Sequence, residues 1–438
     1  MEGLAVDPEP VVARDHPPGW PAATARFAGQ RWLVDLAIRT VGVDWDQGRS
    51  RYLGAACGTE GDADFTRVRE QIGKLSDIDR VFAAAARSRD ARAAAATEEG
   101  HGRTAARHSF VAAILWGAAE WPFFVSAEAA LKASGANAAK VAAYRRYMAG
   151  ADHPVEAHSI AVGNARLSAY LHLPRDAGGP VPCVLHYGGM DSFKEHAVAL
   201  DGDRFLDRGI GRLVFDGPGQ GEAIHDGIFV SGSNMITAGL QALTLLRDHS
   251  AIDTNRLGIS GVSFGSFWAT QLAAYAPEVS ATAVWALAHE PGCRSIFQTT
   301  SPTFKARFMA MAGIVDEAEF DELAAHHDLR PLAPRIEHPY LALAGADDEL
   351  SPLAATLSLL SGMRSTRELI VYRGERHSLG GGPATRFGPQ PLTVAADWFA
   401  DRFAGHEAAD RLTHVEVDGS TSTGPLEPWL TDRLRIER

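Results

Sequence analysis

Hydrophobic residues follow two different periods along the chain, and the change falls near residue 155. Before that point, apolar side chains recur every three or four positions, which is the helical period. Examples are Phe65, Val68, Ile72 and Leu75. An alanine-rich stretch from Val81 to Thr97 strengthens the pattern, because alanine is the best helix former. We therefore predict an all-helical domain over residues 27–150, preceded by an extended or disordered, proline-rich leader over residues 1–26.

Beyond residue 155 the pattern changes to short alternating or continuous apolar runs, which predict strands. Segments 155–162 and 166–173 flank Gly163-Asn164, a strong signal for a two-residue hairpin. Later strands alternate with helical segments. The predicted strands are 181–187, 212–216, 257–261, 281–287, 340–344 and 368–373, and the predicted helices are 195–207, 234–248 and 264–275.

This alternation is typical of the α/β class, in which a mostly parallel sheet carries helices on both faces. We assign the α/β domain to residues 151–405 and leave residues 406–438 as a carboxy-terminal tail. A helical excursion over residues 295–330 interrupts the domain and is expected to extend a helical cap formed by residues 27–150. A chain of 438 residues is long enough for such a core and cap.

Residues 261–265 read Gly-Val-Ser-Phe-Gly, which fits the Gly-x-Ser-x-Gly pattern of a nucleophile elbow. In that motif the serine lies on a sharp turn between a strand and a helix, and its hydroxyl projects from the edge of the sheet. The flanking glycines are needed because side chains there would collide. A predicted strand precedes Ser263 and a predicted helix follows it, so we predict that Ser263 is a nucleophile; the alternative is a surface turn.

Candidate acid and base residues follow two later strands, in the order Ser, acid, His that is typical of an α/β-hydrolase triad. The acid is Asp348 or Asp347, and we choose Asp348 because its spacing from Gly345 and Pro352 is familiar from this fold. His377 lies in the glycine-rich loop after the last predicted strand, where it can act as the base. His289 also follows a predicted strand and is the alternative base.

An oxyanion hole requires two backbone N–H groups that point at the developing negative charge. Phe264, the residue after the nucleophile, is expected to provide one of them. Gly188-Gly189-Met190 follows the predicted strand 181–187, and its missing side chains permit close backbone approach. The second donor is therefore Gly189 or Met190, and the alternative is that this segment is only a flexible turn.

Further residues are candidates for the substrate pocket. Trp116, Trp121 and Phe124 of the helical domain could enclose a planar aromatic compound, although core packing is the alternative. His289 and Glu290 follow a predicted strand and should face the active-site crevice, and we predict that Glu290 polarises water or a substrate hydroxyl. Lys194 and Glu195 are expected to pair with one another or with the cap.

Composition narrows the possible partners. A net charge of -12 argues against nucleic acid or anionic membranes as partners and favours a small-molecule substrate. The chain has no apolar run long enough for a membrane span and no secretory pattern at its start, and its three cysteines lack metal-type spacing, so we expect a cytoplasmic protein without a metal. Residues 216–222 lack the full phosphate-binding motifs, so we interpret this glycine-rich segment as a structural turn and expect no cofactor.

The chain resembles the α/β-hydrolases grouped with 2,6-dihydroxypseudooxynicotine hydrolase, the fungal polyketide-shortening hydrolases of the melanin pathway and the FrsA-like esterases. The resemblance covers roughly residues 105–405. It rests on residues 188–195, 208–211, 216–222 and 252–265, on His377, and on the Trp116–Phe124 segment, which resembles the family's helical cap. Phe264-Gly265-Ser266 departs from the Gly-Gly that many members have after the nucleophile's neighbour.

The resemblance implies an α/β-hydrolase fold, a homodimer, and one of two reactions: hydrolysis of an ester, or cleavage of a carbon-carbon bond beside a ketone in a polyketide-like or aromatic compound. We predict the second reaction, through an acyl-enzyme. Alternatives are a carboxylesterase, an acyltransferase, and a non-catalytic binding module on the same fold. A prolyl-oligopeptidase-type peptidase is disfavoured because the first 150 residues lack the repeats of a β-propeller.

Overall fold

A helical part and a sheet-containing part follow one another along the chain in a computed structural model, which describes residues 7–436. The helices of the first part are α1 (Ala25–Val41), α2 (Arg49–Ala56), α3 (Gly58–Gln71), α4 (Ile78–Glu98), α5 (Gly102–Glu120) and α6 (Ala127–Met148). Those of the second part are α7 (Gly221–His225), α8 (Asn234–Arg247), α9 (Phe264–Ala273), α10 (Pro302–Ala312), α11 (Glu317–Ala325), α12 (Leu353–Ser361), α13 (Pro383–Phe387), α14 (Pro391–Phe403) and α15 (Glu427–Ile436).

The strands form one ten-stranded sheet in the order β1-β2-β4-β3-β5-β6-β7-β8-β9-β10. They are β1 (Val155–Val162), β2 (Ala165–His172), β3 (Val181–Tyr187), β4 (Gly211–Phe215), β5 (Ile252–Val262), β6 (Ala281–Trp285), β7 (Tyr340–Gly345), β8 (Arg367–Tyr372), β9 (Arg411–Val415) and β10 (Thr421–Pro425). Pairing is parallel from β4 through β3 and on to β9, and antiparallel at both edges. The predicted mostly parallel sheet is confirmed, as is the hairpin at residues 163–164.

Each face of the sheet has its own hydrophobic core, because successive side chains along a strand point to opposite faces. In β7, Leu341 and Leu343 pack into a cluster with Trp398 and Phe399 of α14. Ala342, between them, belongs to the larger cluster that contains α8, α9 and the helical part. Helices therefore cover both faces, as predicted.

In the helical part, α5 packs between α4 and α6. All its residues from Ser109 to Glu120 are buried, so it is the centre of this part rather than an amphipathic surface helix. Ser126 caps α6 by accepting a hydrogen bond from the Ala129 N–H. Residues 7–24 are extended and pack on the α/β part, where the Trp20 indole donates to the Ala310 carbonyl at 2.8 Å.

Two sequence-based predictions are corrected. Residues 195–207 form no continuous helix: two short 3₁₀ turns are separated by Gly202, whose φ of 114° is outside the helical region, and by Asp203, whose carboxylate accepts hydrogen bonds from the next turn. Residues 406–438, predicted as a tail, contribute β9 and β10. β9 pairs with β8, and β10 pairs with β9. All residues of β10 are exposed, so it leaves no hydrophobic pattern in the sequence.

Within residues 7–436, no helix has the length and apolar character needed to cross a bilayer.

Candidate active site

Ser263 lies on a strained turn between β5 and α9. Its φ of 55° and ψ of -128° are unusual for a residue with a side chain, and strain of this kind is often stored at functional sites. The Ser263 N–H donates to the Trp285 carbonyl at the end of β6, which holds the turn against the sheet. A Cβ atom at Gly261 would collide with the carbonyl of Gly265, and one at Gly265 with the carbonyl of Tyr187. Both flanking glycines are therefore required by close backbone packing.

The structure brings Ser263, His377 and Asp348 together although they are far apart in sequence. Ser263 Oγ is 2.8 Å from His377 Nε2. His377 Nδ1 is 3.0 Å from Asp348 Oδ2 and 3.1 Å from Oδ1. Asp347, the alternative acid, is exposed and lies outside these contacts. The arrangement of hydroxyl, imidazole and carboxylate is the one a serine nucleophile requires.

The surroundings of this cluster favour the protonated form of the His377 imidazole. Burial acts to lower the pKa of His377, but the charge and hydrogen bond of Asp348 outweigh it, so the pKa is raised. Asp348 Oδ1 accepts hydrogen bonds from the N–H groups of Leu350 and Ser351 at 2.8 and 3.0 Å, which orient the carboxylate. The Glu349 carboxylate accepts the His377 N–H at 3.3 Å and also raises the pKa of the imidazole.

The oxyanion loop, residues 188–192, lies beside Ser263. A Cβ atom on Gly189 would lie 2.9 Å from the Ser263 Cβ, so glycine permits this approach. The Gly189 carbonyl accepts hydrogen bonds from the Gln220 amide at 2.7 Å and from the Ser192 N–H at 3.0 Å. The Met190 N–H belongs to the same trans peptide and points the opposite way. The Gly189 N–H lies in the peptide of the Gly188 carbonyl, which also accepts from Gln220 at 3.3 Å, so Gly189 and Met190 both remain candidates for the second donor. Phe264 begins α9 at the elbow.

The glycine-rich segment 216–222 supports this loop. The Asp216 carboxylate accepts hydrogen bonds from the Lys194 N–H, the Lys194 ammonium and the Glu222 N–H at 2.8, 2.9 and 3.1 Å. A Cβ atom at Gly221, where φ is 42°, would collide with the Asp216 carboxylate. These bonds explain the segment as a structural turn that holds Gln220 against the oxyanion loop.

His289 and Glu290 are not brought to the nucleophile. The His289 ring lies near Thr356 Oγ1 and Tyr340 OH, at 3.3 and 3.4 Å, and burial lowers its pKa to about 3. Glu290 Oε2 accepts the Ser295 N–H at 2.6 Å and lines a separate open cleft. Both residues follow a strand at the expected edge, but their side chains bond to these other partners.

The three aromatic pocket candidates have different surroundings. Trp121 lines a cavity of about 50 Å³ between the helical part and the oxyanion loop. Trp116 instead donates its indole N–H to Asp90 of α4 at 2.8 Å. Phe124 is fully buried against Phe27 and Trp121. Only Trp121 of the three therefore belongs to the cavity wall, and the other two are core residues.

Comparison with known proteins gives the family. The model of the family described as "Esterase FrsA-like" matches residues 83–352, which is more than half of the chain and includes Ser263 and Asp348. The chain belongs to the FrsA-like esterase family. It is thus a hydrolase of the α/β-hydrolase type, and the fold predicted from sequence is confirmed.

Relatives of this FrsA-like protein include several hydrolases. It is 26% identical to 2,6-dihydropseudooxynicotine hydrolase of Paenarthrobacter nicotinovorans over 64% of this chain and 74% of that protein. It is 29% identical to Hydrolase ORFZ of Pyricularia oryzae over 51% of this chain and 56% of the relative. It is 27% identical to Esterase FrsA of Yersinia enterocolitica over 43% of this chain and 51% of the relative. The match thus spans about half of the last two relatives' length.

Solved structures share the fold. The crystal structure of 2,6-dihydroxy-pseudo-oxynicotine hydrolase superposes with a TM-score of 0.70 at 24% identity, covering 82% of this chain and 97% of that one. AbyA5 superposes with a TM-score of 0.60 at 16% identity, covering 87% and 95%. The similarity therefore includes the helical part as well as the sheet.

Sequence reasoning missed an ion-paired group of three residues at the oxyanion loop of this FrsA-like protein. Asp191 follows Met190 and forms ion pairs with Arg49 and Arg307 at 2.5 and 2.8 Å. Asp191 lies in the segment 188–195 that carried the resemblance, so its position was a usable signal. Arg49 and Arg307 are distant in sequence and only the fold brings them here.

One group of metal-type ligands lies elsewhere among the described residues. Both His158 and His249 have Nε2 within 3.2 Å of Glu156 Oε2, on β1 and after α8. The His249 Nδ1 accepts the Ala251 N–H, so the proton of the neutral ring lies on Nε2 and is donated to Glu156. The group is satisfied as a hydrogen-bonded surface cluster.

Proposed function

We propose that Ser263 is the nucleophile of an acyl-enzyme mechanism that cleaves a carbon-carbon bond next to a ketone in an aromatic or polyketide-like small molecule. The observation that carries the proposal is the continuous contact from Ser263 Oγ through His377 to Asp348, on a strained turn. This combination is costly to maintain without a chemical role.

In the proposed reaction His377 accepts the proton of Ser263 as the oxygen attacks the carbonyl carbon, and Asp348 stabilises the imidazolium. The N–H groups of Phe264 and Met190 bind the oxyanion. When the tetrahedral intermediate collapses, the carbon-carbon bond breaks and its electron pair remains on the leaving carbon, which takes the proton from His377. Water then hydrolyses the acyl-serine with His377 as the base.

A carbon leaving group needs an adjacent carbonyl or hydroxylated ring that spreads its negative charge, whereas an ester does not. The small cavity beside the oxyanion loop has Tyr52, Trp121, Phe123 and Phe193 in its wall, and aromatic side chains of this kind commonly contact conjugated ligands. The similarity to 2,6-dihydropseudooxynicotine hydrolase, which extends over 74% of that protein, also supports a small-molecule substrate of this kind. Ester hydrolysis is the second candidate, favoured by the esterase family that the chain belongs to.

The test begins with a serine-directed phosphonate probe on the native protein and on Ser263→Ala. We expect labelling of the native protein only, and a loss of turnover of at least about 10⁴-fold in the variant. Product analysis on aryl esters and β-diketones then separates the two reactions, and an added alcohol or amine detects acyl transfer. Equal labelling of Ser263→Ala would contradict the assignment of the nucleophile.

A further inference from the structure

The oxyanion loop is held from two sides by different parts of the molecule. On the inner side, the Gln220 amide donates to the Gly189 and Gly188 carbonyls at 2.7 and 3.3 Å. On the outer side, the loop is held through Asp191, whose side chain is 9% exposed. The inner contact belongs to the α/β part, but the outer one involves the helical part.

Arg49, the first residue of α2, provides the outer contact. Its Nε is 2.5 Å from Asp191 Oδ2, and its Nη1 is 2.5 Å from Asp46 Oδ1. The guanidinium also lies 4.5 Å from the centre of the Trp121 ring. A planar guanidinium can bind two carboxylates and stack on an aromatic ring at once, which a lysine ammonium cannot do.

Arg307 of α10 binds the same carboxylate from the helical excursion. Its Nε is 2.8 Å from Asp191 Oδ1, and its Nη1 donates to the Trp121 carbonyl at 2.7 Å. Its Nε is also within 3.4 Å of the Met190 carbonyl. Asp191 is therefore the point where the helical part, the excursion and the oxyanion loop meet.

The buried charges of Asp191, Arg49 and Arg307 make their contact sensitive to the loss of any one of the three. Burial acts to raise the pKa of Asp191, but Arg49 and Arg307 outweigh it and hold the pKa below its usual range, so the carboxylate is ionised. Removal of one buried partner leaves the others with an uncompensated charge, which favours rearrangement of the loop. Asp191 is bonded directly to Met190, so a shift of the carboxylate is passed to the Met190 N–H.

We propose that Arg49 is a positioning residue, which transmits the placement of the helical part to the oxyanion donor at Met190 through Asp191. Full reactivity at Ser263 then requires the contact between Arg49 of α2 and Asp191 of the oxyanion loop. The proposal rests on the proposed function, because it assigns an oxyanion role to Met190. It adds that the helical part influences the rate of the reaction.

The experiment compares Arg49→Met with Arg51→Met. Arg51 lies on the same helix, but its side chain is 77% exposed and 3.8 Å from Asp44, so it is a matched control. The phosphonate probe counts reactive serines, and kcat and KM are measured on an aryl ester per labelled site. This normalisation removes any loss that comes only from unfolded protein.

We expect Arg49→Met to lower kcat per site by about 100-fold and to change KM less than about twofold. The reason is that a Met190 N–H displaced by about 1 Å loses its hydrogen bond to the oxyanion, which forms only in the transition state. Arg49→Lys keeps the charge but not both carboxylate contacts, so its kcat per site should be about tenfold higher than that of Arg49→Met. Arg51→Met should stay within about twofold of the native protein. In the double variant Arg49→Met/Asp191→Asn, the two losses should not multiply.

Equal kcat per site in Arg49→Met and Arg51→Met, or a change confined to KM, would overturn the inference. If Arg49→Met does not fold, Asp46→Asn replaces it, since it loosens Arg49 without removing a cation. We then expect a loss of about tenfold in kcat, and an unchanged kcat overturns the inference. If the native protein is neither labelled by the probe nor able to turn over the aryl ester, the proposed function is wrong instead. The two failures are therefore distinguishable.

Discussion

Two groups of buried charged side chains lie in different regions of this protein. The first, the serine cluster, consists of Ser263, His377 and Asp348. The second, the lysine cluster, lies where α5 and α6 meet the α/β part. Its members are Lys140, Lys194, Glu120, Glu195 and Asp216.

In the lysine cluster every charge has an opposite charge nearby. Lys194 Nζ is 2.9 Å from both Glu195 and Asp216, and Lys140 Nζ is 3.0 Å from Glu120 and 3.7 Å from Glu195. The predicted pairing of Lys194 with Glu195 is confirmed, and Glu195 also reaches Lys140 of the helical part. Burial raises the pKa of Glu195, although the two lysines oppose the shift.

Shifted pKa values therefore mark both regions, but only one has the geometry of a reactive site. The serine cluster ends in a hydroxyl on a backbone with φ of 55°, whereas the lysine cluster joins ammonium and carboxyl groups on backbone without positive φ. Burial and charge are therefore not sufficient to identify a reactive site, because a structural ion-pair cluster has them too. A strained backbone and a hydroxyl next to the imidazole are the features that distinguish the candidate active site.

The largest expected effect is a difference in kcat between variants of the two aspartates that follow β7. Asp348→Asn should lower kcat by about 10⁴-fold, because the amide cannot stabilise the imidazolium and favours the wrong tautomer. Asp347→Asn, on the exposed neighbour, should change kcat less than about twofold. Steady-state kinetics of both variants on one substrate provide the measurement. Similar losses in both would remove Asp348 from its assigned role.

The next effect tests the lysine cluster as a structural junction. Lys194→Met leaves Asp216 and Glu195 buried without their nearest cation, so we expect a loss of about 3–5 kcal/mol in the free energy of unfolding. Lys132→Met, on a side chain 56% exposed to solvent, should change the free energy of unfolding far less than Lys194→Met does. Urea unfolding followed by circular dichroism measures both. A small change in Lys194→Met would show that the cluster contributes little to stability.

The pH dependence should distinguish His377 from His289. The base must be neutral, so kcat/KM is full above the pKa of His377 and falls about tenfold per pH unit below it. Because this pKa is raised, the midpoint should lie above 6.5. Glu349→Gln removes one negative neighbour and should move the midpoint downward. A midpoint below 6.5, toward the depressed pKa of His289, would instead favour His289.

The smallest expected effect concerns Glu290. Its carboxylate is bonded to the Ser295 N–H and lines a different cleft, so Glu290→Gln should change kcat/KM less than about twofold. The amide oxygen can still accept that hydrogen bond, which makes Gln a conservative replacement. A loss of more than tenfold, with unchanged thermal unfolding, would restore Glu290 to the active site.

Local patterns in the sequence were sufficient for much of this protein. The helical period before residue 155, the hairpin at Gly163-Asn164 and the buried strands of the parallel sheet follow from side-chain periodicity and turn chemistry, which act between near neighbours. The elbow around Ser263 was also readable, because close packing of Gly261 and Gly265 leaves few other residues possible.

Tertiary structure decided the rest, because it depends on contacts between distant residues. His289 and Glu290 follow a strand at the same edge as Ser263, yet their side chains bond to Thr356 and Ser295 instead. Backbone pairing placed the exposed β10 in the sheet without any hydrophobic signal. The junction of Arg49, Asp191 and Arg307 exists only because three segments meet, and no period or motif in the chain encodes such a meeting.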